Sequence, residues 1–247
     1  MKRLILSALV LGAANLAGGC IIVSDDDPVG NANVSWDLLS ADGNGNPIPA
    51  GCPQGATTAT VFSLKEGADP GDAFVDKFNC SALGGTAADL PTGRYLIWVR
   101  LTDDSESLLF AESGSLLADI GDGLTTNVPH SIFVDHAFFD MSWRLLDPGG
   151  NNVACAQVQG EDGVSMAAST AGGGLIDTIV DCEDGEGNSV ATTDPLPINM
   201  DYTMSVALLN AAQQSIGTAQ AIPPNQDRAL DYGNKFQSLG VVDIDLQ

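Results

Sequence analysis

A unit of about one hundred residues occurs twice in this sequence, and its landmarks keep the same order in each copy. In the first copy they are Ser35, Trp36, Leu38, Leu39, Cys52, Cys80, Leu90, Pro91 and Tyr95. In the second copy they are Ser142, Trp143, Leu145, Leu146, Cys155, Cys182, Leu196, Pro197 and Tyr202. The offsets are 107 positions for the tryptophans, 103 and 102 for the cysteines, 106 for the prolines and 107 for the tyrosines. Solenoid repeats run only about 20 to 50 residues, so the duplication predicts two tandem globular domains of ordinary size.

The charge of the chain limits what it can bind. Acidic residues outnumber basic ones 32 to 9, which gives a formal net charge of −23. A field of this sign repels phosphate backbones and anionic lipid surfaces. We therefore predict no nucleic-acid partner. Apolar residues make up 44% of the chain, which is enough for each half to bury a core.

The N-terminus has the pattern of a secretory signal. Lys2 and Arg3 precede a mostly apolar run from Leu4 to Ala17, and small residues follow it. The run is 14 residues long, whereas a membrane-spanning helix needs about 20. We expect an export signal and no permanent membrane helix.

The end of this signal, Leu16-Ala17-Gly18-Gly19-Cys20, resembles the lipobox of bacterial lipoproteins. Gly18, Gly19 and Cys20 match the motif, whereas Leu16 lies one position further upstream than the usual Leu. The resemblance implies that Cys20 is acylated and becomes the first residue of the mature chain. Because Ile21 is not an Asp, the resemblance also implies sorting to the outer membrane, with the domains on its periplasmic or cell-surface face. An ordinary cleaved signal with an incidental cysteine is the alternative.

Cysteine counting agrees with this interpretation. The chain has five cysteines, and lipidation of Cys20 leaves four, which allow three pairings. The duplication selects Cys52 with Cys80 and Cys155 with Cys182, since each copy then has the same internal bridge. In the chain-entropy model, closing a loop of this length contributes roughly 3.5 kcal/mol of stability. Zinc binding is the weaker alternative, because there is no CxxC spacing and neither His130 nor His136 has a copy in the second unit.

Short strands separated by turns run through both copies. Apolar residues alternate with polar ones around Trp36 and Trp143, and again after Tyr95 and Tyr202. Asp-Gly, Asn-Gly and Pro-Gly sequences lie between the strands, and no helical pattern is convincing. We predict an all-β chain of two tandem β-sandwiches. The predicted segments are a signal peptide over 1–19, an acidic tether over 20–31, a first sandwich over 32–136 and a second over 137–247.

The turn Leu90-Pro91-x-Gly93-x-Tyr95, which leads into an alternating strand, resembles transthyretin-like and carboxypeptidase-regulatory-like sandwiches. The second copy departs from it, because the segment Leu196–Tyr202 is one residue longer and lacks the glycine. The resemblance covers about a third of each copy. It implies binding, spacer or accessory modules more often than catalysts.

No catalytic motif is present. His130 and His136 could join an Asp and a Ser, but a lone strand histidine is more often structural, so we predict no catalytic residue, no metal site and no cofactor. Two acidic loops, Asp42-x-Asn44-x-Asn46 and Asp184-x-Glu186-x-Asn188, place oxygen ligands at alternating positions as calcium loops do. Neither loop continues to the distant Glu of an EF-hand, and their glycines suit ordinary turns. Trp98 lies on the second face of its strand, where it could form a ligand patch or, as we prefer, pack in a core or domain contact.

These features together predict a non-enzymatic lipoprotein held in the membrane by acyl groups on Cys20. Its two disulfide-bonded sandwiches would contact a protein or glycan partner at the cell envelope. The alternative is a calcium-dependent adhesin or extracellular matrix component.

Overall fold

Strand β1 (Val29–Ala41) shows how alternation builds this chain. Ala32, Val34 and Trp36 are buried, whereas Ser35 and Asp37 between and beside them are exposed. One face of the strand therefore joins a core and the other meets water. The computed structural model describes residues 28–219, 222 and 230–247, and over these residues the chain is all-β, as predicted.

The first half of the chain forms two facing sheets. Its remaining strands are β2 (Pro47–Pro49), β3 (Thr58–Lys65), β4 (Phe74–Asn79), β5 (Gly84–Pro91), β6 (Gly93–Thr102), β7 (Leu109–Glu112), β8 (Leu116–Ile120) and β9 (Thr125–Phe133). Two short 3-10 helices cover Pro70–Asp72 and Cys80–Ala82. One sheet has the order β2-β1-β5, and β9 pairs with β1 in parallel. The other has the order β4-β3-β6-β7, and β8 also pairs with β6.

The second half repeats this plan. Its strands are β10 (His136–Leu146), β11 (Asn152–Val153), β12 (Glu161–Thr170), β13 (Leu175–Val180), β14 (Ala191–Thr192), β15 (Leu196–Pro197), β16 (Tyr202–Asn210), β17 (Ser215–Thr218) and β18 (Phe236–Leu246). Short 3-10 helices cover Cys155–Gln157 and Cys182–Gly185. The closing strand β18 pairs in parallel with β10, as β9 does with β1. Here β17 pairs with both β16 and β18, so it joins the two layers.

Each half has its own hydrophobic core, and matched residues occupy matched places in the two cores. The first core lies between residues 32 and 134, and the second between 137 and 244. The indole Nε1 of Trp36 donates to the carbonyl of Cys80 at 3.1 Å, and that of Trp143 donates to the carbonyl of Cys182 at 2.9 Å. The two tyrosines also make matching hydrogen bonds. The hydroxyl of Tyr95 donates to the carbonyl of Pro91, and that of Tyr202 donates to the carbonyl of Pro197.

The structure contains the disulfides Cys52–Cys80 and Cys155–Cys182, the two pairs that the duplication selects. Three residues after Cys182, the backbone at position 185 lies so close to the core that only glycine fits. A side-chain carbon at Gly185 would lie 2.4 Å from the ring of Trp143. The bridge, the glycine and the tryptophan therefore form one packed unit.

The structure differs from the sequence prediction at the tether and at several strands. Residues 29–31, which we assigned to an acidic tether, belong to β1 and pair with β5 and β9. Hydrogen bonding to two neighbouring strands outweighs the turn-rich composition of this stretch. Alternation predicts the strands around Trp36 and Trp143 and after Tyr95 and Tyr202, whereas the short strands β5, β8 and β17 have no such pattern. The predicted signal peptide, Cys20 and the tether up to Asp27 lie outside the described residues, and no helix within the described part is long and apolar enough to cross a membrane.

A short segment of the second half, residues 230–235, crosses back to the first half. The amide of Gly233 donates to the carbonyl of Phe110 at 2.7 Å, and the carbonyl of Gly233 accepts from the amide of Glu112 at 3.2 Å. A side-chain carbon at Gly233 would lie 2.5 Å from the carbonyl oxygen of Phe133. Backbone from the second half therefore pairs with β7, the edge strand of a sheet in the first half.

Asn234 is the polar centre of this contact. It is 6% exposed and has φ 59°, a left-handed conformation that asparagine tolerates better than most residues. Its side-chain amide donates to the carbonyl of Glu112 at 3.0 Å and accepts from the amide of Phe133 at 3.2 Å. Its own amide donates to the carbonyl of His136 at 2.7 Å. One residue thus joins the edge of the first half to the junction between the halves.

We expect Asn234→Ala to lower the free energy of unfolding by about 2–3 kcal/mol, because two half-buried backbone groups lose their partner and the left-handed backbone loses a tolerant residue. Small-angle scattering should then report a wider spread of interdomain distances. Chemical denaturation measures the loss of unfolding free energy.

Asn199→Ala is the matched control. Asn199 has a similar φ of 61° but is exposed. Its bond to residues 230–235 runs from its backbone amide to the carbonyl of Leu230 at 2.8 Å, which the replacement keeps. The replacement should therefore cost about 1 kcal/mol and leave the scattering unchanged. Equal losses in the two variants would mean that the interdomain bonds of Asn234 contribute nothing.

Candidate functional site

The outer face of the sheet β4-β3-β6 in the first half carries aromatic and aliphatic residues where a solvated face usually carries polar ones. In β6 the odd-numbered residues from Tyr95 to Leu101 are buried, so the even-numbered ones point outward. The strand register places Phe62 opposite Trp98, and Val75 opposite Phe62. These three residues form one row across three strands.

The two rings of this row stack against each other. The centroids of Phe62 and Trp98 lie 4.9 Å apart and the ring planes differ by 6°. The guanidinium of Arg100 lies 5.0 Å from the centroid of Phe62, a cation–π distance. Arg100 also pairs with Glu112 on the adjacent strand. Arg100, which is itself held by Glu112, therefore flanks the stack at Phe62.

A second row extends the apolar surface along the strands. Leu64 lies opposite Leu96, and Leu96 lies opposite Leu117. Leu96 is 37% exposed, and Leu117 and Val75 are each 50% exposed. Contiguous exposed apolar surface on a soluble domain often marks an interaction site. We name this surface the aromatic face and define it by Phe62, Leu64, Val75, Leu96, Trp98 and Leu117.

The second half provides an internal comparison, since it has the same backbone with different side chains. Because Tyr202 matches Tyr95, the equivalents of Leu96 and Trp98 are Thr203 and Ser205. The register of β12 with β16 makes Ala167 the equivalent of Phe62 and Ser169 the equivalent of Leu64. The fold therefore does not require large apolar residues at these positions. Their presence in the first half alone calls for a functional explanation.

Basic residues gather on the aromatic face although the chain has few of them. Three of its nine Lys and Arg residues, Lys77, Arg94 and Arg100, point outward from this sheet. Each has an acidic partner, with Lys77 2.5 Å from Glu106 and Arg94 3.3 Å from Glu66. The face is therefore close to neutral within a strongly acidic protein.

The turn after β6 holds Glu106 beside this face. Asp103 organises the turn, since its carboxylate accepts hydrogen bonds from the hydroxyl of Ser105, the amide of Leu108 and the hydroxyl of Ser107. These bonds, led by that of Ser105, lower the pKa of Asp103 to about 2. The carboxylate is thus ionised at neutral pH and fixes the loop.

The two acidic loops that resemble calcium loops in spacing use carboxylates to hold the backbone in place. Asp42 accepts from the amides of Asn44 at 2.8 Å and Asn46 at 3.0 Å, and these bonds lower its pKa. Glu186 accepts from the amide of Cys155 at 3.0 Å. Across residues 28–219, 222 and 230–247, no group of three or more His, Cys, Asp or Glu side chains is placed to hold a metal ion. The structural equivalent of Asp42 is Asp147, which closes the matching turn of the second copy with the same bonds.

The two histidines lie in different surroundings. His130 is 5% exposed in β9, and its Nε2 has no hydrogen-bond partner within the part of the chain that the structure describes. Burial lowers its pKa to about 4. His136 Nδ1 lies 2.6 Å from Asp135, whose other oxygen accepts from Ser40 at 2.6 Å. Asp135 thus stands between the serine and the histidine, whereas a catalytic triad needs the histidine in the middle.

A cleft of about 430 Å³ lies between the halves, beside the Asp42 turn and His136. Asp177 and Asp194 line its other side together with Leu175. Its charged wall is acidic, so it repels anions. Two of the carboxylates that line this cleft already accept hydrogen bonds within the protein. Asp42 accepts from the backbone of its own turn, and Asp177 accepts from the hydroxyl of Ser165 at 2.5 Å.

Sequence inspection singled out Trp98 and preferred a core or domain contact for it. The structure places Trp98 on the outer face and outside the hydrophobic core. Phe62, Leu64 and Val75 went unnoticed because only strand register brings them beside Trp98. Comparing outward positions of the two copies would have revealed the contrast.

No protein-family model matches the sequence, and no curated protein matches it either. Several solved structures resemble the chain weakly. The TIE protein of Bacillus anthracis is 12% identical with a TM-score of 0.31, over 89% of this chain and 34% of that one. The minor pilin GBS52 of Streptococcus agalactiae is 14% identical with a TM-score of 0.28, over 87% of this chain and 96% of that one. The fimbrial anchor protein Mfa2 of Porphyromonas gingivalis is 13% identical with a TM-score of 0.29, over 76% and 81%.

The first of these matches is to a longer protein, of which this chain spans about a third of the length. A leucine-rich repeat protein from Bacteroides thetaiotaomicron is matched over 26% of its own length, at 14% identity and a TM-score of 0.31. At these TM-scores the likenesses carry no conclusion about function.

The surroundings of His130 predict a pH-dependent stability. The unfolded chain binds a proton near the ordinary pKa of 6.5, whereas the folded chain binds it only near pH 4. The contribution of this group to stability is therefore fully present above pH 6.5 and is lost as the pH drops towards 4, by roughly 3 kcal/mol. The difference in unfolding free energy between wild type and His130→Leu, followed from pH 7.5 to pH 4, measures this contribution. A difference that is independent of pH would show that His130 titrates normally in the folded chain.

Proposed function

We propose that this protein is a non-enzymatic lipoprotein of the cell envelope that binds an envelope partner through the aromatic face of its first sandwich. The observation that carries the proposal is the contrast between the two copies. The same outward positions hold Phe62 and Trp98 in the first copy, and Ala167 and Ser205 in the second. Tryptophan, arginine and phenylalanine are the residues that binding surfaces favour.

The proposed membrane attachment rests on the sequence. Cys20 follows the small residues Gly18 and Gly19, as in the lipobox, and its thiol would carry the acyl groups. Acyl chains supply membrane affinity without a spanning helix. The anchor would hold the sandwiches at the outer membrane, on the periplasmic or the cell-surface side.

The partner is expected to be a protein or a glycan. Apolar rings and paired charges suit both, because each partner class presents apolar surface together with hydrogen-bonding groups. Nucleic acid does not fit, since the net charge of −23 repels it.

We expect the double variant Phe62→Ala with Trp98→Ser to lose adsorption to purified envelopes of the producing cells by at least tenfold. The full-length lipoprotein in detergent micelles is used, and bound protein is measured by titration. Removing the stacked pair deletes the apolar centre of the surface, where truncation costs at least ~1.4 kcal/mol of binding.

Ala167→Gly with Ser205→Ala is the matched control on the second copy, and it should adsorb like wild type. Both double variants should stay folded, because the changed side chains lie outside the cores. Unchanged adsorption of the Phe62/Trp98 variant, with its fold intact by circular dichroism, would contradict the proposed binding face.

Intact mass spectrometry of the purified native protein tests the anchor. We expect a chain that starts at Cys20 with two or three acyl chains, and reduction should add four hydrogens, two for each disulfide. Cys20→Ser should carry no lipid mass and should move to the aqueous phase in detergent phase partition. An unlipidated start at another residue in the wild type would make the protein a secreted one without this anchor.

A further inference from the structure

A cavity of about 170 Å³ opens beside the stacked rings of the aromatic face. It lies between β3, β6 and the turn that Asp103 organises. Its lining residues are Thr60, Phe62, Arg100, Thr102, Glu106 and Leu109. Typical small-molecule sites are about 300–1,000 Å³, so this cavity has room for one small ring rather than a cofactor.

The polar groups of the cavity are incompletely satisfied. Thr102 is 6% exposed, and its hydroxyl has no hydrogen-bond partner among the described residues. Thr60 is 3% exposed, and its hydroxyl lies 3.5 Å from Glu106 Oε1, a long and weak contact. Buried hydroxyls normally have partners, so an unpartnered one in a cavity wall calls for an explanation. A ligand hydroxyl would supply the missing partner.

The charges around the cavity cancel in pairs. Arg100 pairs with Glu112, and Lys77 pairs with Glu106 at 2.5 Å. The remaining lining offers donors and acceptors without net charge, and Phe62 and Leu109 add apolar surface. An anion would meet two carboxylates in a protein of net charge −23, and an apolar protein side chain would leave the hydroxyl of Thr102 unpaired. A neutral ligand rich in hydroxyl groups fits best.

We propose that this cavity binds one unit of a neutral saccharide, and that the aromatic face beside it supports the adjoining units. The inference rests on the proposed function, since it names the partner class of the same surface. The hydroxyls of Thr60 and Thr102, with Arg100 and Glu106, provide hydrogen bonds to sugar hydroxyls. The apolar side chains of Phe62, Trp98 and Leu109 provide surface for the C–H faces of the rings.

The test uses the full-length lipoprotein in detergent micelles on an array of neutral and anionic oligosaccharides. Calorimetry then measures the affinity of each bound neutral glycan. Thr102→Val keeps the shape of the side chain and removes the hydroxyl, whereas Thr102→Ser keeps the hydroxyl. We expect wild type to bind one or more neutral glycans, Thr102→Val to weaken that binding at least tenfold, and Thr102→Ser to retain it within about threefold.

A readout without ligand separates this effect from misfolding. The hydroxyl of Thr102 is unpartnered, so Thr102→Val should melt at the wild-type temperature or above it. Failure of wild type to bind any neutral glycan on the array, or equal affinities of wild type and Thr102→Val, would overturn the saccharide site. Binding of anionic glycans alone would overturn it as well.

The two proposals fail in different ways. If the Phe62/Trp98 variant loses envelope adsorption while Thr102→Val keeps it and no neutral glycan binds, the aromatic face serves another partner and only the saccharide site is wrong. If neither variant changes envelope adsorption, the proposed function itself is wrong.

Discussion

The hydrogen bond from a buried indole to the carbonyl of a bridged cysteine is the contact on which each sandwich depends. The indole belongs to the first strand of a copy and the cysteine to the connection from the other sheet, so the bond ties the two layers together inside the core. A buried tryptophan usually has an acceptor for its N–H, because an unpaired donor in the core costs free energy. The disulfide holds that acceptor in place, and at Gly185 the backbone approaches the ring too closely for any side chain. The parallel pairing of first and last strands then closes each copy around this unit.

This framework explains why the duplicated units could diverge elsewhere. The tryptophan, the bridged cysteines and the tyrosine that binds a proline carbonyl recur in both copies, because each satisfies a buried group of the other layer. Side chains at outward positions do not have to satisfy a buried group. There the first copy has Trp98 and the second has Ser205, on the same backbone. A face that stability does not require is free to serve binding, and the cost of exposing apolar surface is the reason to expect a partner.

The sequence predicted the elements whose own pattern specifies them and missed those that depend on neighbours. Alternation identified the strands around Trp36 and after Tyr95, and the cysteine offsets selected the two pairs. Strand β5, with the sequence Gly-Gly-Thr-Ala-Ala-Asp-Leu-Pro, has little intrinsic β-propensity and is a strand because β1 pairs with it. The stacking of Phe62 on Trp98 likewise depends on register between strands 36 residues apart in sequence. No local pattern contains that information.

Two further features bear on the proposed role, namely the contact between the halves and the place where the chain enters the first sandwich. Residues 230–235 cover the edge of β7, and an uncovered strand edge invites pairing with other chains. The chain enters the first sandwich at Pro28, whose carbonyl accepts from Thr92, next to the start of β6. With an anchor at Cys20, eight residues would span at most about 27 Å between the lipid and Pro28. The strand that carries Trp98 would thus begin within a few tens of ångströms of the membrane.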